Sequence, residues 1–309
     1  MKTYHTLIIL FISIICFSQT EKSLFSSKEL QISKWIDGTL LVPDEMKNPK
    51  LAIIIAGSGP TDRNGNQNFL QNNSLKKLAE SLTINGIATF RYDKRVVKQL
   101  KTGKFDLNTR FDDFVNDAKD VIKHFKAKDE FSEIYVIGHS QGSLVGMLAS
   151  LKDVDGFISL AGAGQNIGDV ILEQVEKTAP MFETDTERVI NTLKAGKTTK
   201  DYPAELTSMF SEEIQPFMIN WMSYYPTEIL NKLEIPILIV NGTKDLQVTV
   251  GEAERLKKSN DNARLKLIEN MNHILFIIEG DNLENSKSYN ETSRAISSDL
   301  IETITSFMK

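Results

Sequence analysis

The stretch EIYVIGHSQGSLVGML, residues 133–148, is the part of the sequence that decides the fold. It begins as a run of β-branched and aromatic residues, which is typical of a buried strand, and continues as a helical run. Ser140 lies at the junction, between Gly138 and Gly142. A sharp strand-to-helix turn needs small residues at these two positions and holds the central side chain above the sheet. The pattern therefore predicts Ser140 as a nucleophile; a serine that only caps the helix is the alternative.

From residue 50 onward, short apolar runs alternate with amphipathic segments, the pattern of a mostly parallel sheet covered by helices. Strands are predicted at 50–57, 87–93, 133–137, 156–163, 235–242 and 263–270. Helices are predicted at 73–86, 111–128, 142–151 and 296–309. Residues 30–43 read as an antiparallel hairpin on the sheet edge. The fold class predicted is α/β.

Residues 165–228 interrupt this alternation, because their pattern is helical and contains no convincing strand. The segment is rich in large apolar residues: Met181, Phe182, Met209, Phe210, Phe217, Met218, Trp221, Met222, Tyr224 and Tyr225. We predict that it forms a helical cap inserted into a core of residues 19–164 and 229–309. Most of these side chains are expected to pack cap against core, and a minority to line an acyl pocket.

A nucleophilic serine needs a base within hydrogen-bond reach, and the chain has only four histidines. His5 falls in a predicted signal peptide, and His124 lies on a predicted helix surface facing away from the strand ends. His139 adjoins Ser140, where neighbouring side chains point in different directions. His273, in ENMNHILF after the last predicted strand, is therefore the predicted base.

The base in turn needs a carboxylate to hold its tautomer. Asp245 closely follows the strand IPILIVNG, at the sheet edge where Ser140 is expected. The chain order Ser140, Asp245, His273 matches one of the three common serine-hydrolase orders. Asp261 and Asp281 remain alternatives for the acid, although neither directly follows a strand end.

A tetrahedral intermediate also requires backbone N–H donors for its oxyanion, each worth about 3 kcal/mol. Gln141, directly after the nucleophile, would supply one of them. The loop AGSGPTDRNGN, residues 56–66, would supply the other, and Ser58 is the predicted donor. The alternative is that GSGP forms an ordinary turn.

Five stretches, in this order, resemble the α/β-hydrolase superfamily: GSGPTDRNGN, RYDKR, GHSQGS, YYPTEILNKLEIPILIVNGTKDLQV and NMNHIL. Within it the chain is similar to bacterial esterases and serine-aminopeptidase-like hydrolases with a helical cap. The resemblance runs from about residue 38 to the C-terminus. It implies Ser140 as nucleophile, Asp245 as acid and His273 as base, with oxyanion donors at Ser58 and Gln141.

The chain departs from that family where relatives tend to read RYDKRG with a glycine-rich continuation, because Val96 and Val97 follow RYDKR here. A differently shaped loop at the rim of the site is expected. Nearby charged residues are expected to form one cluster that holds the oxyanion loop against the next strand end; they are Asp62, Arg63, Asp93 and Arg95. Arg63 binding a substrate carboxylate is the alternative.

Residues 1–18 are predicted to be a signal peptide, since Lys2 precedes the apolar run LIILFISIICFS. We expect export to the periplasm or medium after cleavage near Ser18. The apolar run is shorter than the roughly 20 residues that span a bilayer, so no stable membrane anchor is expected. Ile15 disfavours lipid attachment at Cys16, because a small residue belongs there. Cys16 is the only cysteine, so the mature chain is expected to contain none.

The net charge of −5 provides no attraction to nucleic acid. The function expected is an exported serine hydrolase that cleaves small-molecule carboxylic esters, with neither metal nor organic cofactor. A peptidase or amidase acting on short peptides is the alternative, and it would need cap acids to hold an α-ammonium: Glu173, Glu176, Glu183, Glu212 and Glu213. Cofactor-free haloperoxidase activity would use the same triad, and a non-catalytic binding protein could share the fold.

Overall fold

The computed structural model describes residues 24–309, so the predicted signal peptide lies outside the described residues. These residues form an eight-stranded sheet in the order β1-β2-β4-β3-β5-β6-β7-β8. The strands are β1 Phe25–Gln31, β2 Asp37–Pro43, β3 Leu51–Ile55, β4 Ala88–Tyr92, β5 Ile134–His139, β6 Gly156–Leu160, β7 Ile237–Gly242 and β8 Ala263–Ile268. The strands from β3 to β8 run parallel, and β1 and β2 form an antiparallel hairpin at one edge.

Helices cover both faces of this sheet. They are α1 Ser74–Ile84, α2 Arg95–Thr102, α3 Phe111–Lys126, α4 Gln141–Ala149, α5 Ile167–Thr178, α6 Glu183–Lys194, α7 Thr207–Phe210, α8 Gln215–Met222, α9 Pro226–Leu230, α10 Val250–Ser259, α11 Asn282–Ser288 and α12 Ser298–Met308. Side chains of β5 alternate between two apolar cores: Val136 packs with α3 and α4, and Ile137 packs with α1 and α12. A strand buried on both faces is continuously apolar, which explains the run EIYVI.

The predicted α/β fold is confirmed, and the six predicted parallel strands lie where the sequence indicated. Two details were wrong. The edge hairpin begins at Phe25, before the predicted start at residue 30. Residues 95–102, expected as a rim loop, form helix α2, and the buried Val97 anchors that helix to the protein. Helices α10 and α11 were not predicted.

The segment between β6 and β7, residues 161–236, is described throughout and contains helices α5 to α9 but no strand. It has a small apolar core of its own: Val189, Ile190, Leu193, Leu206, Phe210, Met218 and Met222. Aromatic residues of its second half pack on Phe111 of α3, with the ring of Trp221 stacked at 5.5 Å between centroids. Asn220 accepts a 2.9 Å hydrogen bond from the Asp112 backbone. Most of the ten large apolar residues were expected to pack against the core; two of them, Met181 and Tyr225, are exposed.

Candidate active site

Ser140 occupies the turn between β5 and α4 in a backbone conformation that side chains rarely adopt, with φ 54° and ψ −123°. A Cβ atom at Gly138 would overlap the backbone of Gly142, and one at Gly142 would overlap the carbonyl of Ile55. Both glycines are therefore required by close approach of the backbone. The Ser140 N–H donates to the Leu160 carbonyl at 2.9 Å, which ties the strained turn to β6.

Asp245 and His273 meet at the carboxyl ends of β7 and β8. His273 Nδ1 lies 2.8 Å from Asp245 Oδ2, and both side chains are almost wholly buried. The other carboxylate oxygen, Oδ1, accepts from the backbone N–H groups of Gln247 and Val248 at 2.8 and 2.9 Å. A carboxylate only accepts, so Nδ1 of His273 carries the hydrogen and Nε2 is left with a free lone pair.

The predicted base and the predicted nucleophile lie at the same cavity. Ser140 and His273 line one cavity of about 270 Å³, and Ser58 lies on its wall. The alternative acids are engaged elsewhere: Asp281 caps α11 by accepting from the Leu283 and Glu284 backbones, and Asp261 is exposed on the turn before β8. The arrangement supplies a hydroxyl, an imidazole with one nitrogen free, and a buried carboxylate behind it.

The two predicted oxyanion donors flank Ser140. Gln141 is the first residue of α4, so its backbone N–H lies at the positive end of a helix. The loop after β3 approaches from the other side: a Cβ at Gly57 would lie only 3.1 Å from the Ser140 Cβ. Ser58, Ser140 and Gln141 line a common cavity of about 190 Å³. A carbonyl oxygen held there could accept hydrogen bonds from the backbone N–H groups of Ser58 and Gln141.

The predicted cluster of four charged residues does not form as one unit. Arg63 binds Asp93 through its guanidinium at 3.1 Å and its backbone N–H at 2.9 Å. Arg95 instead forms two bonds of 2.7 and 2.8 Å to Asp117 on α3. Asp62 accepts from backbone groups of its own loop. Burial opposes ionisation of Asp93, but its bonds to Arg63 leave its pKa below the ordinary value. Arg63 therefore braces the loop after β3 against the end of β4.

His139, set aside in the sequence analysis, supports the loop that carries the predicted base, His273. Its Nε2 lies 2.7 Å from the His273 carbonyl, and because a carbonyl only accepts, Nε2 is protonated. Burial, together with the nearby His273, lowers the pKa of His139 to about 4, so His139 stays neutral beside His273 at neutral pH. No periodicity in the sequence could reveal this bond, which joins residues 134 positions apart.

Lys94 was also missed. It lies at the start of α2 with 3% of its surface exposed, and its Nζ donates to the Gly57 carbonyl. Gln141 Oε1 is 3.4 Å from the same nitrogen. Burial lowers the pKa of Lys94 to about 7. The sequence signal was its place in RYDKR, where it was not distinguished from its charged neighbours.

A third cavity, of about 360 Å³, opens beside Ser58 and Gln141 between α2, α3 and the helical segment. Its walls are mainly apolar: Pro60, Val96, Phe105, Leu107, Phe114, Ile214, Phe217, Met218 and Trp221. Glu213 lies at this cavity as well. Three of the ten large apolar residues predicted in the cap, Phe217, Met218 and Trp221, thus line a cavity next to the site.

Residues 24–309 contain neither a side-chain cluster suited to a metal ion nor a membrane-spanning helix. Nowhere in this part of the chain do three or more His, Cys, Asp or Glu side chains group as a metal would require. None of its helices combines the length and the apolar character needed to cross a membrane.

The sheet order and the serine turn define an α/β hydrolase, and solved structures support that fold. Est1E from Butyrivibrio proteoclasticus superposes with a TM-score of 0.56 at 16% identity, covering 91% of this chain and 97% of that chain. The Pyrococcus furiosus esterase Pf2001 gives 0.52 at 16% identity, with 92% of each chain covered. At such identities the likeness concerns the fold.

The sequence comparison is more specific. The family model for serine aminopeptidase, S33, matches residues 72–281, and the chain belongs to this family. The predicted resemblance is thereby confirmed. Esterase EstD of Thermotoga maritima is 24% identical over 261 residues, which are 83% of this chain. The chain spans only 61% of the length of that esterase.

Proposed function

We propose that this protein is a serine carboxylesterase that forms an acyl-enzyme on Ser140. One observation carries the proposal: the Asp245–His273 bond ends at the same cavity as a serine held in a strained strand-to-helix turn. Membership of a serine-hydrolase family and similarity to esterase EstD support it.

In the proposed reaction Ser140 Oγ attacks the ester carbonyl and passes its proton to His273 Nε2. Asp245 stabilises the imidazolium, and the backbone N–H groups of Ser58 and Gln141 bind the oxyanion. Collapse of the intermediate expels the alcohol, which takes the proton from His273. Water then attacks the acyl-enzyme with His273 as base, and the free acid leaves.

Two of the three cavities suggest how an ester would lie. The departing alcohol must take its proton from His273, so the 270 Å³ cavity that His273 lines would hold the alcohol. The 360 Å³ cavity lies beside the oxyanion donors, and His273 is not among its lining residues, so it would hold the acyl chain. Its apolar walls suit a small-molecule ester with a medium-length aliphatic or an aromatic acyl group.

The test compares hydrolysis of p-nitrophenyl acetate, butyrate and hexanoate by the wild type and Ser140→Ala. Loss of the nucleophile should lower kcat at least about 10³-fold. Ser26→Ala, which changes an exposed serine on the edge strand β1, is the matched control and should keep full activity. Equal rates for the wild type and Ser140→Ala would overturn the proposal.

Amide hydrolysis is a second candidate, because the family description is that of an aminopeptidase and Glu213 lies at the apolar cavity. Glu213 could pair there with the α-ammonium of a short peptide. Two of the other candidate cap acids already have partners: Glu173 accepts a hydrogen bond from Gln165, and Glu212 pairs with Lys200. On aminoacyl p-nitroanilides, Glu213→Gln should raise KM about two- to fivefold with little effect on neutral esters. Failure of the wild type to cleave any anilide would exclude this candidate.

We also propose export, on the basis of the predicted signal peptide in residues 1–18. N-terminal sequencing of protein from the periplasm or medium should find a chain that begins close to residue 19. An uncleaved chain that stays inside the cell would contradict this proposal.

A further inference from the structure

Lys94 is a buried amine directly behind the proposed oxyanion site. It follows β4 at the start of α2, and its Nζ donates to the Gly57 carbonyl. The ammonium also lies 5.4 Å from the centre of the Phe114 ring. Across residues 24–309, no carboxylate oxygen lies within 4 Å of Nζ. A buried lysine without an anionic partner destabilises a protein, so its position calls for a function.

The Gly57 carbonyl and the Ser58 N–H belong to one peptide unit. This peptide is trans, so its carbonyl and its N–H point in opposite directions. Because Lys94 holds the Gly57 carbonyl oxygen, the Ser58 N–H points away from Lys94, towards the proposed oxyanion site. Gly57 packs against the Cβ of Ser140 and the ring of His139, so this peptide lies at the nucleophile.

The same amine also reaches the second donor residue. Gln141 Oε1 lies 3.4 Å from Nζ, and the backbone N–H of Gln141 is the other proposed oxyanion donor. Lys94 thus joins the loop after β3 to the start of α4. The 3.4 Å contact is long, so the bond to Gly57 is the stronger of the two.

We propose that Lys94 is a positioning residue that orients and polarises the Ser58 N–H, with support from Gln141, so that the two backbone donors converge on the oxyanion. The inference rests on the proposed function and names a group that touches neither substrate nor the reacting atoms. A positive charge behind the Gly57–Ser58 peptide strengthens its N–H as a donor, because hydrogen bonds in series polarise one another.

Because Lys94 loses its charge as the pH rises, its role can be tested through the pH dependence of kcat. Desolvation lowers the pKa of Lys94 to about 7, so the ammonium is present below neutral pH and is lost above it. The contacting groups of the β3 loop and α4 are uncharged, and His139 at the end of β5 stays neutral. Charged groups on the neighbouring elements are paired with one another: Asp93 with Arg63 and Lys101, and Arg95 with Asp113 and Asp117.

The principal variant is Lys94→Met, which keeps most of the side-chain length and removes the donor and the charge. With p-nitrophenyl butyrate, kcat should fall about 10- to 100-fold and KM should change less than threefold. Lys98→Met removes a half-buried lysine of the same helix, paired with Asp37 on β2, and is the matched control, with an expected change in kcat under twofold. A folded Lys94→Met protein with wild-type kcat would overturn the proposal.

Lys94→Gln is the second variant. It keeps an N–H donor but lacks the charge, and it can be used if Lys94→Met fails to fold. The wild-type kcat should decline as the pH rises through about 7, in proportion to loss of the ammonium. Lys94→Gln should lack this decline and show a uniformly lower kcat. An unchanged alkaline decline in Lys94→Gln would contradict the inference.

Two further readouts separate this inference from a structural role and from the proposed function. A trifluoromethyl ketone, whose adduct with serine carries an oxyanion, should bind Lys94→Gln more weakly by the same factor as kcat/KM falls. An equal loss of stability and activity without that weaker binding would indicate packing alone and overturn the inference. If Ser140→Ala is inactive while Lys94→Gln is wild-type, only this inference fails; an active Ser140→Ala would refute the proposed function itself.

Discussion

The strand-end edge of the sheet and the helical segment 161–236 are built in different ways. At the strand ends each proposed catalytic group is held by short bonds between buried atoms, as Asp245 is by His273 and two backbone N–H groups. The helical segment holds itself together with a small apolar core and packs on α3 through aromatic rings. Geometry is thus tightly fixed where a reaction would occur, whereas the neighbouring cavity is shaped by apolar side chains that can be exchanged. Chemistry and substrate choice should therefore respond to different mutations.

The largest effect is expected from Asp245→Asn. The Gln247 and Val248 N–H groups would hold the amide oxygen, so the amide NH₂ would face His273 Nδ1. Nδ1 would then have to accept, which moves the ring proton to Nε2 and blocks it as a base. We expect kcat to fall about 10³- to 10⁴-fold with little change in KM, measured by p-nitrophenyl butyrate hydrolysis.

Asp261→Asn is the matched control for this change, because Asp261 is an exposed acid outside the site. Its kcat should stay within twofold of the wild type. Equal losses in the two variants would mean that Asp245 is not the acid.

His139 should give a smaller effect, on stability rather than rate. Its pKa is about 4 in the folded protein against about 6.5 when unfolded, so the unfolded chain binds a proton first as the pH falls. The free energy of unfolding should therefore drop by about 3 kcal/mol between pH 6.5 and 4 on account of this one group. His139→Gln should lessen that drop, as measured by urea unfolding at pH 7 and pH 4.5. The same pH dependence in both proteins would refute this role.

The smallest effect is expected at Val96, which lines the apolar cavity from α2. Val96→Phe should fill part of that cavity and lower the hexanoate-to-acetate ratio of kcat/KM about tenfold, with acetate hydrolysis nearly unchanged. Leu100→Phe adds the same ring at an exposed position of α2 and is the control. An unaltered ratio in Val96→Phe would place the acyl chain elsewhere.

Features that leave a local pattern in the sequence could be predicted from it. The strands were found because both of their faces are buried, which produces apolar runs such as IPILIVNG. His273 was found by elimination, since few histidines were available. The structure places it at Asp245 and at the cavity of Ser140, and its catalytic role stays a prediction.

The side-chain contacts that were missed all depend on where a side chain points across the fold. The Arg95–Asp117 pair, the His139 bond to His273 and the Lys94 bond to Gly57 each join residues distant in sequence. No local pattern encodes such directions. Similarly, Glu213 could be placed at a cavity only once the helical segment was seen against α2 and α3.

Mass-spectrometric identification of a fluorophosphonate adduct tests the central claim most directly. We expect one adduct, on the peptide that contains Ser140, at a rate that falls at least about 10³-fold in His273→Ala, because an unactivated serine hydroxyl is a poor nucleophile. Labelling of a different serine, or equally fast labelling of Ser140 in His273→Ala, would contradict the account.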